Sequence, residues 1–557
     1  MPRAAALRTF ASMRAALALA AAIAAAAPHA ARPAPVEVGV ASSLDKLRPG
    51  DPIPPGRAVE LVAARGECES AQVAVRAQAG LQALGVDAAP LRGPAPIPVT
   101  LYRVANVQLE RPSGPEGAPG EWPDPLVPVR DAWFGEPRRA FPVQVAAGRL
   151  QAAWIEVCVP RAAPPGRYAG EVRVRDGART LATVPVRLRV WPFALPATGR
   201  FVAAFGLATR TGTAALGRKE DPELARALAA AALRHRVSPY TLSADPPDGE
   251  CTAGRCALDW SRYDAEVGPV LDGTLVPGVR GMFAEVRIAE KVWQGPEADL
   301  AATLRAWKRH FDARSWSDRL WLYTLDEPRP EQIPELRRRA ALAHAAGIRV
   351  FATTMPSDAL AGLVDAFAPN LTLLSSAEAH PDHVAFSYAS CLSHGCGELP
   401  ASGRAREQLL RDFAGWPGYE IDRAGAAARA VAWLGWRRGL AGELYYDMLQ
   451  AWPGDPWVNV RAFGGNGDGT LLYPGLPARL GGAHPFPVES IRLKIIRDAL
   501  EDVELLRMAT EAGEGALAAR VAARLVPSPR SYERSGAAWL DARRALGDAL
   551  ARRLAAR

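Results

Sequence analysis

A chain of 557 residues, 49% hydrophobic and 23% charged, has apolar surface for several cores, and usual domain sizes divide it into roughly two to four domains. Its 49 prolines and 49 glycines are scattered rather than periodic, which excludes a collagen-like or linker protein and suits a loop-rich enzyme. Basic residues number 67 against 59 acidic ones, a formal charge of +8, but nearly all are arginine and none form a dense run. Nucleic acid is therefore not an expected partner.

In chain order, the first element is an export signal over residues 1–31. Arg3, Arg8 and Arg14 precede an apolar, alanine-rich run from Ala15 to Ala27, with small residues around a cleavage zone at about 26–31. An uncleaved anchor is the alternative, but the apolar core is shorter than the ~20 residues a span needs. The expected location is periplasmic or extracellular, with no stable membrane span after cleavage. Oligomeric state is not legible.

Residues 32–198 read as a β-sandwich. Short alternating segments, AQVAVRA (71–77), AAWIEVCVP (152–160), EVRVR (171–175) and TVPVRLRVWP (183–192), are separated by Pro and Gly. The Asp176-Gly177 step between two of them is a hairpin signal.

From residue 199 the period changes. Eight strand-like runs, at 201–207, 237–242, 281–288, 320–326, 349–355, 371–376, 384–390 and 442–448, alternate with amphipathic helical text. This predicts a (β/α)8 barrel over 199–487, irregular between its sixth and seventh strands. Residues 488–557 follow as a helical region. The expected fold class is thus multidomain: an N-terminal β-sandwich, a central TIM-like barrel and a C-terminal helical segment.

Six cysteines accord with an oxidising compartment. Cys251 with Cys256, and Cys391 with Cys396, each enclose a short turn that a disulfide could close. Cys68 and Cys158 lie in strand-like sequence, where they bridge two strands or stay as buried thiols. Zinc at Cys391, His394 and Cys396 is a weaker alternative, because three ligands within six residues lack a distant second half.

The run LWLYTLDEP (320–328) ends in two adjacent carboxylates and a proline. Pro328 stops ladder pairing, so Asp326 and Glu327 sit where a strand gives way to a loop, on the edge where barrel enzymes build their sites. Neighbouring residues of a regular strand face opposite ways, so both carboxylates enter one site only if the backbone leaves β geometry there. The competing assignment makes Asp326 an N-cap and Glu327 a first-turn acid of the following helix.

The TLDEP strand end, PPGRYAGEVRV (164–174), GELYYDM (442–448), NGDGTLLYPG (466–475) and ESIRLKIIRDALEDVELL (489–506) together make the mature chain resemble glycoside hydrolase family 123 and a broader set of related uncharacterised barrel proteins. The resemblance implies retaining, substrate-assisted hydrolysis of a β-linked 2-acetamido sugar, N-acetylgalactosamine first, without metal or organic cofactor. The matching positions make Asp326 the residue that orients the acetamido group and Glu327 the acid and base. A glycan or glycoconjugate is the implied partner. Ring faces and polar groups for a sugar are sought in Tyr388, Tyr445, Tyr446, Asp447, Trp452 and Trp457, although aromatic residues more often belong to a core. Family members often carry Trp at the position of Tyr446. Asp422 either supports the same edge or caps a helix. A barrel glycosidase of different sugar specificity, or a non-catalytic carbohydrate-binding or surface protein, are the rival readings.

Overall fold

A computed structural model describes residues 36–218, 221–242, 245–374, 385–393, 395–397, 400, 402–462 and 464–556. The expected export signal lies outside these residues, as does His394. Among the described residues no helix is long and apolar enough to cross a membrane.

Two facing antiparallel-rich sheets, of seven and five strands, make the N-terminal layer. The strand Arg179–Ala194 shows how the sequence builds it: Val184, Val186, Leu188 and Val190 are buried, while Thr183, Pro185 and Arg187 are exposed. A period of two places one face on the core and the other in water. The hairpin signal holds, since Asp176 pairs with Arg179 across a turn in which Gly177 has φ +57°. Cys68 and Cys158 lie opposite each other on neighbouring strands and are joined.

Eight short parallel strands follow: β1 (Val202–Gly206), β2 (Val237–Tyr240), β3 (Ala284–Glu285), β4 (Leu320–Tyr323), β5 (Arg349–Ala352), β6 (Ala366–Phe367), β7 (Phe386–Tyr388) and β8 (Gly442–Tyr445). They form two four-stranded sheets, ordered β2-β1-β8-β7 and β3-β4-β5-β6. Between β6 and β7 the backbone bonds Ala385 N–H to Phe367 O and Tyr388 N–H to Pro369 O remain. Between β2 and β3 the Met282 N–H donates to Ser238 Oγ at 2.9 Å. The result is a multidomain α/β and β architecture with several sheets and helices.

The sixth strand is not where the apolar run suggested. Leu371–Leu374 is a 3-10 turn, because Asn370 Oδ1 accepts both the Thr372 N–H, at 3.0 Å, and the Thr372 hydroxyl, at 2.6 Å. An asparagine that offers the backbone such bonds favours a turn over a ladder. The strand is Ala366–Phe367 instead.

The chain then turns back. Strands Leu472–Gly475 and Phe486–Ser490 extend the seven-stranded N-terminal sheet, with Glu489 opposite Leu126 and Ser490 opposite Pro125. Ser490 closes the strand and opens a helix, its hydroxyl accepting the Leu493 N–H at 3.1 Å. That helix, Ile491–Ala509, is buried almost all round. Its charges survive burial because each is paired: Arg492 holds Asp124, Lys494 and Arg497 hold Glu156, and Asp502 holds Arg429. It ties the N-terminal sheet to the helix Gly425–Arg437 and to the last helix, Gly536–Ala555.

Candidate active site

The strand β4 ends at Tyr323, and four residues later the backbone turns left-handed. Glu327 has φ +42°, a left-handed conformation that costs a non-glycine residue on the order of 1 kcal/mol or more. Its position before Pro328 makes it rarer still, since a following proline favours extended backbone. A specific bond holds it: the Glu327 N–H donates to Thr353 Oγ1 at 2.9 Å. Thr353 stands just past the end of β5, buried at 4% exposure.

The Thr353 hydroxyl passes its own hydrogen to Asp326 Oδ1, at 2.7 Å. The Tyr323 hydroxyl donates to the same oxygen, also at 2.7 Å. The second carboxylate is held from another strand, where the Tyr388 hydroxyl, at the end of β7, donates to Glu327 Oε1. Asp326 and Glu327 are both exposed, whereas Tyr323 and Tyr388 are half-buried. Burial, then the neighbouring carboxylates, push both phenols above their ordinary range, so they remain donors. Each carboxylate thus has one oxygen fixed by hydroxyl groups.

Tyr240 packs in one apolar cluster with Tyr323 and Tyr388, the two tyrosines that hold the pair. Burial raises the Tyr240 phenol most, and Glu285, Asp326 and Asp447 raise it further. Burial pushes the Asp447 carboxyl up to about 6, although Oδ1 accepts the Met448 and Leu449 N–H groups at 2.7 and 3.1 Å. Arg287 pairs with Glu285.

Tyr388 falls at the carboxylate pair, and Asp447 stands two residues past the end of β8. The other aromatic candidates are placed elsewhere or turned to other work. Tyr445 is fully buried, its hydroxyl donating to Asp468 Oδ1 at 2.8 Å and accepting the Gly469 N–H at 2.6 Å. Trp452 is a core residue whose Nε1 donates to Leu472 O at 2.8 Å. Trp457 packs on Tyr473 and donates from Nε1 to Pro474 O at 2.9 Å. Both tryptophans anchor the strand Leu472–Gly475, and Trp452, 2% exposed, has no face left for a sugar. Tyr446 lies half-buried against Tyr445 and over Gly469, where a Cβ would meet its hydroxyl at 2.1 Å.

Asp422 neither supports the carboxylate edge nor caps a helix. Its oxygens accept the Ser113 N–H and hydroxyl at 2.7 and 2.6 Å, clasping a loop of the N-terminal layer. The NGDG loop is structural in the same sense: Asp468 also receives the Cys391 N–H at 2.8 Å, fixing the loop after β7. Cys251–Cys256 and Cys391–Cys396 are disulfides, so the zinc alternative loses its thiolates. Among the described residues no group of three or more His, Cys, Asp or Glu could hold a metal ion.

Tyr323, Thr353 and Tyr240 were not singled out from sequence. Only Tyr323 carried a local signal, three residues before Asp326; the others reach the site from neighbouring strands.

No protein-family model matches the chain, and no curated protein matches it. Solved structures do. Against a family 123 glycoside hydrolase from Clostridium perfringens the TM-score is 0.63 at 12% identity, over 93% of this chain and 98% of that one. A family 39 glycoside hydrolase from Bacteroides cellulosilyticus gives 0.31 at 11% identity over 79% and 81% of the two chains, too low to carry an argument. The chain therefore has a distant structural relationship to the family 123 glycoside-hydrolase fold.

Proposed function

We propose that the protein is an exported glycoside hydrolase that removes a β-linked 2-acetamido sugar, N-acetylgalactosamine first, with retention and with the substrate's own acetamido oxygen as nucleophile. The signal would occupy residues 1–31, a supporting β-sandwich 32–198, a (β/α)8 barrel walled by the two parallel sheets 199–487, and a helical region 488–557. The observation that carries the reading is the left-handed turn at Glu327, which lets two adjacent carboxylates serve one site.

The chemistry follows from the donors. Tyr323 and Thr353 occupy Asp326 Oδ1, leaving Oδ2 to take the acetamido N–H and to stabilise positive charge as the acetamido oxygen closes on the anomeric carbon. Tyr388 occupies Glu327 Oε1, so the opposite oxygen would carry the proton to the leaving oxygen and later take one from water. The carboxylate pair needs no third catalytic group for this cycle.

A panel of chromogenic glycosides tests the proposal on purified mature protein. Cleavage of 2-acetamido β-glycosides is expected; cleavage confined to 2-hydroxy sugars would assign a different glycosidase. Glu327→Gln should lose about 100-fold or more on substrates with poor leaving groups and less on activated aryl glycosides. Asp326→Asn should lose roughly 100- to 1,000-fold whatever the leaving group. Near-parental rates in both variants on every cleaved substrate would sink the assignment.

A further inference from the structure

In the ladder between β4 and β5, Tyr323 lies opposite Phe351, and the Thr324 N–H still reaches Phe351 O at 3.4 Å. The next bond across this gap goes to a side chain, from the Glu327 N–H to Thr353 Oγ1 at 2.9 Å. Among the described residues the Glu327 N–H has no other partner. A hydroxyl has one hydrogen to give, and that of Thr353 goes to Asp326 Oδ1 at 2.7 Å. One oxygen therefore accepts from the backbone of one acid and donates to the carboxylate of the other.

The two acids depend on this oxygen unequally. Without Thr353, Asp326 Oδ1 would still have the Tyr323 hydroxyl, which donates to it at 2.7 Å and lies 3.3 Å from Thr353 Oγ1. The Glu327 N–H would have nothing in its place. Glu327 holds φ +42° directly before Pro328, and a following proline drives a residue toward extended backbone. In extended backbone neighbouring side chains point to opposite faces, so relaxation there would separate the pair. Thr353 is well placed to prevent it, being buried just past the end of β5 with a β-branched side chain restricted to few rotamers.

We propose that Thr353 is a positioning residue for the hydrolysis, one that keeps the Glu327 side chain in the site through the backbone bond while Asp326 is held mainly by Tyr323. The inference rests on the glycosidase reading for its kinetic consequence, and on the turn alone for its geometry.

Thr353→Val removes the oxygen at nearly constant volume, and Thr353→Ser keeps it. On 2-acetamido β-glycosides with poor leaving groups, kcat/KM of Thr353→Val should fall about 10- to 100-fold. On activated aryl glycosides, which lean less on the acid, the loss should stay within about threefold. Thr353→Ser should return both rates to within about threefold of the parent. Tyr323→Phe takes a donor from Asp326 and leaves the turn, so its loss should be the same on both substrate classes. In a Glu327→Gln background, Thr353→Val should add no more than about twofold on poor leaving groups. Parental rates in Thr353→Val, no recovery in Thr353→Ser, or one leaving-group pattern shared with Tyr323→Phe would overturn the role. Should Thr353→Val fail to fold, Thr353→Ser and Thr353→Ala, which differ by one oxygen, carry the same comparison. If the parent cleaves no glycoside, the catalytic reading fails and crystal structures decide the positioning separately. Glu327 should then be left-handed in the parent and extended in Thr353→Val; a left-handed Glu327 with an unmoved carboxylate in the variant would overturn the inference.

Discussion

The Tyr388 hydroxyl donates to Glu327 Oε1 across the gap between β7 and the turn after β4. A side chain counted at first among sugar contacts thus touches the proposed acid itself. Because the phenol is held above its ordinary range by burial and by Glu327, it stays a donor and dictates which carboxyl oxygen is free.

Tyr388→Phe removes that donor while keeping the ring. Rates on substrates with poor leaving groups should fall roughly tenfold, because the carboxylate is no longer held in one orientation. Steady-state kinetics on parent and variant measure the loss; parental rates in the variant would remove Tyr388 from the machinery.

Glu443 supplies a pH dependence of stability. It is fully buried in β8, accepts the Tyr419 hydroxyl at 2.8 Å, and is pushed up to about 7 by burial. The folded state therefore keeps a proton that the unfolded chain releases near 4.5. Its contribution is full below that pH and disappears as pH rises through about 7, a change of ~3 kcal/mol. Glu443→Gln retains the acceptor for Tyr419 and abolishes the titration. Denaturant unfolding at pH 5 and pH 8 should find the variant gaining on the parent by about that amount at the higher pH; equal differences at both would refute the assignment.

Arg492 and Asp124 test the central helix. Both are buried, joined by bonds of 2.8 and 2.9 Å, and Arg492 also donates to Tyr419 O and Gly467 O at 3.0 and 2.7 Å. Arg492→Met strands a buried carboxylate and should cost about 3–5 kcal/mol, whereas adding Asp124→Asn should restore part of the loss. A double-mutant cycle by chemical denaturation reads the coupling. Strict additivity would mean the pair does not act as one.

Much of this was legible because it is periodic. Alternation marked the strand Arg179–Ala194, and the abrupt end of LWLYTLDEP marked Asp326 and Glu327, along with the requirement that the backbone break there, which Glu327 meets at φ +42°. Thr353 was invisible because its partners are more than 25 residues away and its role depends on the end of β5 lying beside the end of β4. Tyr445 and Trp452 misled for the opposite reason: an aromatic side chain with one polar atom fits a core as readily as a sugar, and only the positions of Asp468 and Leu472 decide between them. Likewise Leu371–Leu374 has strand composition, and one asparagine outweighs it.

The return of Phe486–Ser490 to the N-terminal sheet makes that layer a discontinuous folding unit. Its strand Gly120–Pro128 has no neighbour on that side until residue 490 has been synthesised, so the first third of the chain must wait for nearly the last tenth. A fragment that stops before residue 472 keeps the alternating strands but leaves a bare sheet edge, the usual seed of aggregation. A fragment beginning at residue 199 carries the carboxylate pair together with two strands that have lost their sheet. Excision at sequence boundaries therefore cuts through a shared structure, and circular permutation is the more promising way to separate the layers.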